Sequence, residues 1–181
     1  ACAANLVEVK GHRYLLEAVS MLKQDGFPVQ LDLFGDGPLR MELEVMVRQL
    51  DITDRVKFWG NLAHEALQVR YANNEIDLFV LPSIDLGGGH HEGVPVSIME
   101  AMSYGIPVIS TRTGSIEEIL EPSFNSTVPG KNPTALKIAI KNVLSNPDVY
   151  RIRSKQVIEC IREKWMIQGS VMCMKSYIET Y

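Results

Sequence analysis

Short apolar runs alternate along this chain with longer stretches whose apolar residues recur at helical spacing, and this alternation constrains the fold most strongly. The strand-like runs are residues 1–7, 29–34, 56–59, 76–81 and 107–110. The helical stretches open at Gly11 and His12 and continue at 39–50, 64–73 and 95–104. Strand–helix alternation at this spacing predicts a Rossmann-like, doubly wound parallel α/β sheet with right-handed crossovers.

The length of the chain limits how many domains it can hold. Its 181 residues suffice for one α/β domain with a sizeable core. We assign the Rossmann-like core to about 1–130 and a helical tail, with about three helices from Pro133 onward, to about 131–181. The sequence starts at Ala1, without Met, directly in a strand-like run, so we expect this domain to be one part of a longer protein.

Charge and cysteine content narrow the class of partner and the compartment. The net charge of −4 argues against nucleic acid as a partner, because nucleic-acid affinity depends largely on a basic surface. The three cysteines are odd in number and none are at metal-ligand spacing, which favours a reduced, cytoplasmic location. No signal peptide is visible, and the longest weakly charged stretch, 93–110, contains Glu100 and two prolines and is typical of helix, turn and strand.

The predicted sheet also indicates where a ligand should bind. Ligands of doubly wound sheets bind at the carboxyl ends of the strands. The loops expected there are 7–11, 35–38, 60–61, 83–95 and 111–115. The longest of them is rich in Gly and His, and long loops in compact domains are often functional.

The segment 92–109 is the densest source of functional residue types. Pro95 suits the first helical position and Gly105 the C-cap, which predicts a helix between them. Gly93 allows a ligand to approach the backbone closely, and Ser97 adds a hydroxyl in the first turn. The free N–H groups and partial positive charge of such a helix N-terminus suit a diphosphate.

Glu100 is the only carboxylate between Gly93 and Ser110, and its neighbours are apolar. A carboxylate in that setting is expected to be partly buried and to need hydrogen-bond donors, which ribose hydroxyls would supply. Ser97 and Glu100 are three residues apart, so they share one helix face. A capping acid and an ordinary surface glutamate remain an alternative from these residues alone.

The same segment resembles the Glu-x7-Glu signature of retaining glycosyltransferases of the GT-B fold, especially family 4, because seven residues separate Glu92 from Glu100. Further motifs resemble that family in the same order. They are Lys10-Gly11-His12 with Leu16-Glu17-Ala18, Phe34-Gly35-Asp36-Gly37-Pro38, Val56-Lys57-Phe58-Trp59-Gly60, Ala101-Met102-x-x-Gly105-x-Pro107-Val108-Ile109, and Thr113-Gly114-Ser115 followed by Glu118. The resemblance implies the C-terminal, donor-binding half of such an enzyme, facing an N-terminal acceptor domain.

The resemblance also implies roles for individual positions. Glu92 would contact the donor sugar near the reacting carbon, Glu100 would bind the ribose, and Lys10 would neutralise the diphosphate leaving group. We take Glu92 and Lys10 as the catalytic candidates. The donor-binding candidates, on loops and one helix start, are Asn5, Gly11, Gly35, Gly37, Gly60, Asn61, His91, Gly93, Val94, Pro95, Val96, Ser97 and Glu100.

The implied chemistry requires no metal or other cofactor, because Lys10 and the helix N-terminus would stabilise the developing negative charge. One residue departs from the family pattern. Asn5 stands where the family usually has an arginine that binds the diphosphate, and an amide carries no charge. Arg13 or Arg112 would be substitutes, although we favour a solvated surface for both.

Other functions compete with this interpretation. A non-catalytic nucleotide-sugar-binding module, a nucleotide-sugar 2-epimerase and a phosphorylase share the architecture. A nicotinamide fingerprint fails because Arg40 stands at the place of its third glycine. His90 and His91 lack a third metal ligand at suitable spacing, and His12 and His64 are interpreted as capping or surface residues. The mildly basic tail is interpreted as solvated, with contact to a membrane and a lipid-linked acceptor as the alternative.

Overall fold

Six short strands form two three-stranded parallel sheets in the computed structural model, which describes residues 1–87, 95–114, 116, 120, 125–150, 152, 154 and 158. The strands are β1 (Cys2–Ala3), β2 (Leu31–Phe34), β3 (Val56–Gly60), β4 (Phe79–Leu81), β5 (Val108–Thr111) and β6 (Ser126–Val128). One sheet has the order β1-β2-β3 and the other β4-β5-β6, and every described strand pair is parallel.

The two sheets meet edge to edge along β1 and β4. The amino group of Ala1 donates to the carbonyl oxygen of Leu78 at 2.6 Å, and the Val80 N–H donates to the Ala1 carbonyl oxygen at 2.8 Å. The strands therefore follow one another in space as β3-β2-β1-β4-β5-β6, with the carboxyl ends of the described strands along one edge. This arrangement confirms the predicted Rossmann-like parallel α/β fold.

Helices follow the strands in the predicted alternation. They are α1 (His12–Gln24), α2 (Arg40–Gln49), α3 (His64–Ala72), α4 (Val96–Ser103) and α5 (Pro133–Ser145), and a 3₁₀ turn (Glu8–Lys10) precedes α1. Leu15, Leu16, Val19 and Leu22 of α1 are buried, as their helical spacing predicts. Residues 147–150 of the tail are also helical.

Strand β6 was not predicted. Its residues, Ser126-Thr127-Val128, are mostly polar, and only Val128 is buried. The strand lies beside β5, and Asn125 just before it is buried, where its Oδ1 accepts the N–H of Val108 at 2.9 Å. This partner lies 17 positions away in the chain, so neither local propensity nor hydrophobic spacing signals the strand.

Two predicted positions at the ends of α4 need correction. Pro95 is the N-cap, and the helix begins at Val96. Gly105 is one position beyond the C-cap Tyr104, with φ of 73°. Its N–H donates to the Met102 carbonyl, and that of Ile106 donates to the Ala101 carbonyl, which is the Schellman arrangement that requires a left-handed residue there.

Among the described residues, no helix combines the length and the apolar character needed to cross a bilayer.

Candidate functional site

Lys10 and Asn5 lie on the segment that follows β1 at the carboxyl edge of the sheet. Asn5 is exposed, and its carbonyl oxygen accepts the N–H of Val7 at 2.9 Å. Lys10 ends the 3₁₀ turn and is half-buried. Gly11 then adopts φ of 66° and starts α1, so the lysine precedes a helix N-terminus directly.

Gly35 and Gly37 bring the turn after β2 against the segment after β1. A Cβ on Gly35 would lie 2.2 Å from the carbonyl oxygen of Ala4, and one on Gly37 would lie 2.6 Å from that of Leu6. The N–H of Leu6 donates to the Asp36 carbonyl at 2.9 Å. These glycines are thus explained by backbone packing between two loops, and their contact with a nucleoside stays a prediction.

The turn after β3 joins the same edge. The Gly35 N–H donates to the carbonyl oxygen of Gly60 at 2.8 Å, and exposed Asn61 follows. Trp59 stacks on Phe34 with ring centroids 5.9 Å apart, and the Arg70 guanidinium lies 3.9 Å from the Trp59 centroid. The sequence did not predict this aromatic and cationic packing, because Arg70 comes from α3.

The first turn of α4 supplies the predicted helix N-terminus. Pro95 is buried, Val96 is exposed and Ser97 is half-buried. No side chain of the described residues caps this helix. The Ile98 N–H donates to the Pro95 carbonyl oxygen at 3.1 Å. The other N–H groups of this first turn lie at a helix end where the helix dipole favours negative charge.

Glu100 is one turn further along α4, and its side chain is only 13% exposed. Its Oε1 is inaccessible to solvent and accepts no hydrogen bond from a described residue. His64 Nε2 lies 3.2 Å from Oε1, although the contact lacks hydrogen-bond geometry. The prediction of a partly buried carboxylate in need of donors is confirmed, which disfavours the alternative of an ordinary surface glutamate.

His12 corrects an expectation, because it is buried rather than a surface residue. The residue is only 2% exposed. Neither ring nitrogen has a hydrogen-bond partner among the described residues. Burial, with a smaller contribution from the charge of Lys10, lowers the pKa of His12 to about 4. The imidazole is therefore neutral at pH 7.

Four predicted site residues, His91, Glu92, Gly93 and Val94, lie outside the described residues, as does His90. Arg13 is exposed and forms an ion pair with Glu42 at 3.0 Å, in agreement with a solvated surface role. Arg112 is exposed as well. Within the described ranges, no three His, Cys, Asp or Glu side chains are grouped as metal ligands.

A cavity of about 830 Å³ lies at the opposite, amino end of the strands, where Leu31, Ile76 and Ile106 are among its lining residues. It contains none of the predicted site residues. Because doubly wound sheets bind ligands at the carboxyl edge, we assign the candidate site to that edge despite the size of this cavity.

The structure places two residues of α3, His64 and Gln68, beside the site. The sequence did not predict them there. Together with Tyr71 they follow the spacing i, i+4, i+7 and so share one helix face. The sequence shows this spacing. It does not show that this face of α3 lies against Glu100 of α4.

The glycine turns, Lys10, the start of α4 and the largely buried Glu100 lie at the carboxyl edge of a parallel sheet. This is the Rossmann-like architecture expected for one half of a GT-B glycosyltransferase. The chain belongs to the family described as glycosyl transferases group 1, whose model matches residues 1–163.

Relatives and solved structures agree with this family. The amylovoran biosynthesis glycosyltransferase AmsK of Erwinia amylovora is 38% identical over 118 residues, which are 65% of this chain and 28% of AmsK. Anabaena HepE in complex with UDP has a TM-score of 0.83 at 20% identity, covering 99% of this chain and 48% of HepE. The C-terminal domain of the group 1 glycosyl transferase LpcC from Francisella tularensis has a TM-score of 0.76 at 21% identity, covering 92% of this chain and 85% of that domain.

These structural likenesses, at about 20% identity, bear on the fold alone. The chain spans less than a third of the length of AmsK and of the putative colanic acid glycosyltransferase WcaL of Escherichia coli.

Proposed function

We propose that this chain is the donor-binding domain of a retaining, metal-independent hexosyltransferase that takes its sugar from a nucleotide-diphosphate sugar. The acceptor would be held by an N-terminal domain across the cleft and would be a saccharide or a lipid-linked glycan. No cofactor would take part. The protein would act in the cytoplasm, free or peripheral to the inner face of the membrane.

The observation that carries the proposal is the Glu100 carboxylate at the carboxyl edge of the sheet. Its Oε1 is out of solvent and accepts no hydrogen bond from a described residue, while the side chain as a whole is 13% exposed. A largely buried carboxylate is unfavourable without donors, and a ribose diol at its accessible part would supply hydroxyl donors. The unsatisfied carboxylate therefore supports ribose recognition better than a structural role.

The charges around the site suit a departing diphosphate. Lys10 and the first N–H groups of α4 provide positive potential at one edge, while His12 is neutral and adds no charge at pH 7. As the glycosidic bond breaks, the electron pair moves to the diphosphate oxygen, and these groups would stabilise the added charge. Glu92 would orient the donor sugar, on the strength of the family resemblance.

The relatives indicate which donors to try first. HepE has been solved with UDP and with UDP-glucose, and a relative from Mycolicibacterium smegmatis, 28% identical over 148 residues, is named as a GDP-mannose-dependent mannosyltransferase. Uridine and guanosine diphosphate sugars are therefore our first candidates. Amylovoran and colanic acid in the names of other relatives favour polysaccharide biosynthesis.

A non-catalytic binding module remains a second candidate, because the uncharged Asn5 replaces an arginine of the family. A 2-epimerase-like isomerase is a third candidate that shares the architecture.

The test is to incubate the full-length protein with UDP- and GDP-sugars and to follow both free nucleotide and sugar-bearing products. Release of nucleotide with transfer of the sugar to an acceptor supports the transferase. Binding without turnover favours the module, and conversion of the sugar without an acceptor favours the isomerase. We expect the 181-residue chain alone to bind the donor and to transfer no sugar.

A further inference from the structure

One face of α3 lies against the buried oxygen of Glu100. His64 Nε2 is 3.2 Å from Glu100 Oε1, and Gln68 Nε2 is 3.0 Å from the same His64 nitrogen. Helix α3 leads from one three-stranded sheet to the other, and α4 belongs to the second. The contact therefore bridges the seam between the two sheets.

Tyr71, one turn beyond Gln68, completes this face. Its ring is buried, and its hydroxyl has no hydrogen-bond partner in the part of the chain that the structure describes. Burial raises the pKa of Tyr71, and the negative charge of Glu100 raises it further, so the hydroxyl lies within electrostatic range of the carboxylate. The environment of Glu100 on this side is thus one histidine, one amide and one phenol, all from α3.

The polarity of these contacts determines the tautomer of His64. An ionised carboxylate has no proton to donate, so the contact is attractive only if His64 Nε2 carries a hydrogen. Gln68 would then turn its amide so that its oxygen, rather than its NH₂ group, faces the ring, and the single Nε2 hydrogen would be shared between the Glu100 and Gln68 oxygens. In the Nδ1–H tautomer, the lone pair of His64 Nε2 would face the Glu100 oxygen, and that contact is repulsive.

The two oxygens of Glu100 thereby acquire different roles. Oε1 is inaccessible and faces His64, so the 13% exposure of the side chain belongs to its other atoms. A contact that holds Oε1 in place would leave Oε2 as the oxygen for a ligand, as a fixed neighbour orients a binding carboxylate.

We propose that His64, aided by Gln68, is a positioning residue that holds Glu100 ready for the ribose of the donor. The proposal rests on the donor-binding function above and adds a residue to that site. His64 acts through Glu100 and does not itself take part in the reaction. Its side chain is 61% exposed, so it is open to the solvent side of the site as well.

A double-mutant cycle tests the coupling in the full-length protein. His64→Ala, Glu100→Gln and the double variant are titrated with UDP and GDP and with their 2′,3′-dideoxy analogues. We expect His64→Ala to weaken binding of the ribose nucleotide about five-fold, since the contact that holds Glu100 Oε1 in place is lost. The same change should have no effect on the Glu100→Gln background or with the dideoxy analogue.

His64→Gln keeps an N–H donor and should recover most of the affinity, while Glu65→Ala, on an exposed neighbour in α3, is the matched control and should change nothing. Equal losses on both backgrounds, or equal losses for ribose and dideoxy nucleotides, would overturn the proposal. So would unchanged affinity in His64→Ala.

A second measurement is independent of any ligand. The ¹⁵N shifts of the His64 ring, assigned by comparison with His64→Gln, should show the Nε2–H tautomer in the unliganded protein and a shift away from it in Glu100→Gln. A predominant Nδ1–H tautomer in the wild type would overturn the proposal. Failure to bind UDP and GDP combined with the expected tautomer would instead count against the donor-binding function alone.

Discussion

Gly11 stands so close to Pro82 that a Cβ on the glycine would lie 2.0 Å from the proline carbonyl oxygen. The N–H of Ile84 also donates to the carbonyl of Val9 at 2.8 Å. These contacts connect the segment carrying Lys10 to the end of β4, across the seam between the sheets. The position of Lys10 thus depends on a glycine at position 11, where no Cβ would fit.

Gly11→Ala should destabilise the fold by more than about 3 kcal/mol, because it adds a backbone clash to the cost of a left-handed residue. Gly26→Ala is the matched control, since Gly26 has φ of 70° but open space around the Cβ position. It should cost only about 1–2 kcal/mol. Chemical denaturation measures both, and equal losses would show that the Pro82 contact is unimportant.

His12 should make the protein less stable in mild acid. Its folded pKa is about 4, below the ordinary 6.5, so the unfolded chain binds the proton first as pH falls. The contribution is fully present above pH 6.5 and is lost as pH falls towards 4, up to about 3 kcal/mol. His12→Leu should flatten the free energy of unfolding across this window, and an unchanged slope would contradict the burial of a neutral imidazole.

The sequence was sufficient for the order of strands and helices, because each of the predicted elements buries one apolar face that local spacing reveals. Helix α1 is an example, with its buried apolar residues at the predicted helical spacing. The sequence was insufficient for β6, because the only buried residue of this strand is Val128. The neighbouring Asn125 accepts a hydrogen bond from Val108, which is distant in the chain.

Glu100 was predicted because a lone carboxylate among apolar neighbours is a local signal. His12 and His64 were interpreted as capping or surface residues, since nothing local distinguishes them. His12 is buried in the folded chain, and His64 meets Glu100 only because α3 and α4 face each other. Both facts depend on tertiary packing.

The two glutamates should differ in phenotype in the full-length enzyme. Glu100→Ala should weaken every ligand that carries a ribose by about 1–3 kcal/mol, because charged hydrogen bonds are lost. Glu92→Gln should reduce sugar transfer greatly while leaving free nucleotide binding nearly intact, since its expected partner is the sugar. Titration with free nucleotide separates the two, and equal weakening by both changes would mean that the roles are wrongly assigned.

Asn5→Arg should tighten binding of a nucleoside diphosphate by about 1 kcal/mol, or roughly five-fold, because a guanidinium adds charge and a forked pair of donors. Asn5 is exposed, so the longer side chain has room. The gain should shrink as salt rises. Paired titrations at low and high ionic strength check this, and unchanged affinity at low salt would mean that position 5 does not face the diphosphate.

The proposed function places a metal-independent nucleoside diphosphate site at the carboxyl edge of the sheet, with Lys10 and the α4 N-terminus at the diphosphate and Glu100 at the ribose. Calorimetric titration with UDP and GDP in excess EDTA tests it most directly. We predict saturable binding of at least one of them, with an affinity that added Mg²⁺ leaves unchanged. Binding that appears only after Mg²⁺ or Mn²⁺ is added, or no binding of either nucleotide, would contradict the claim.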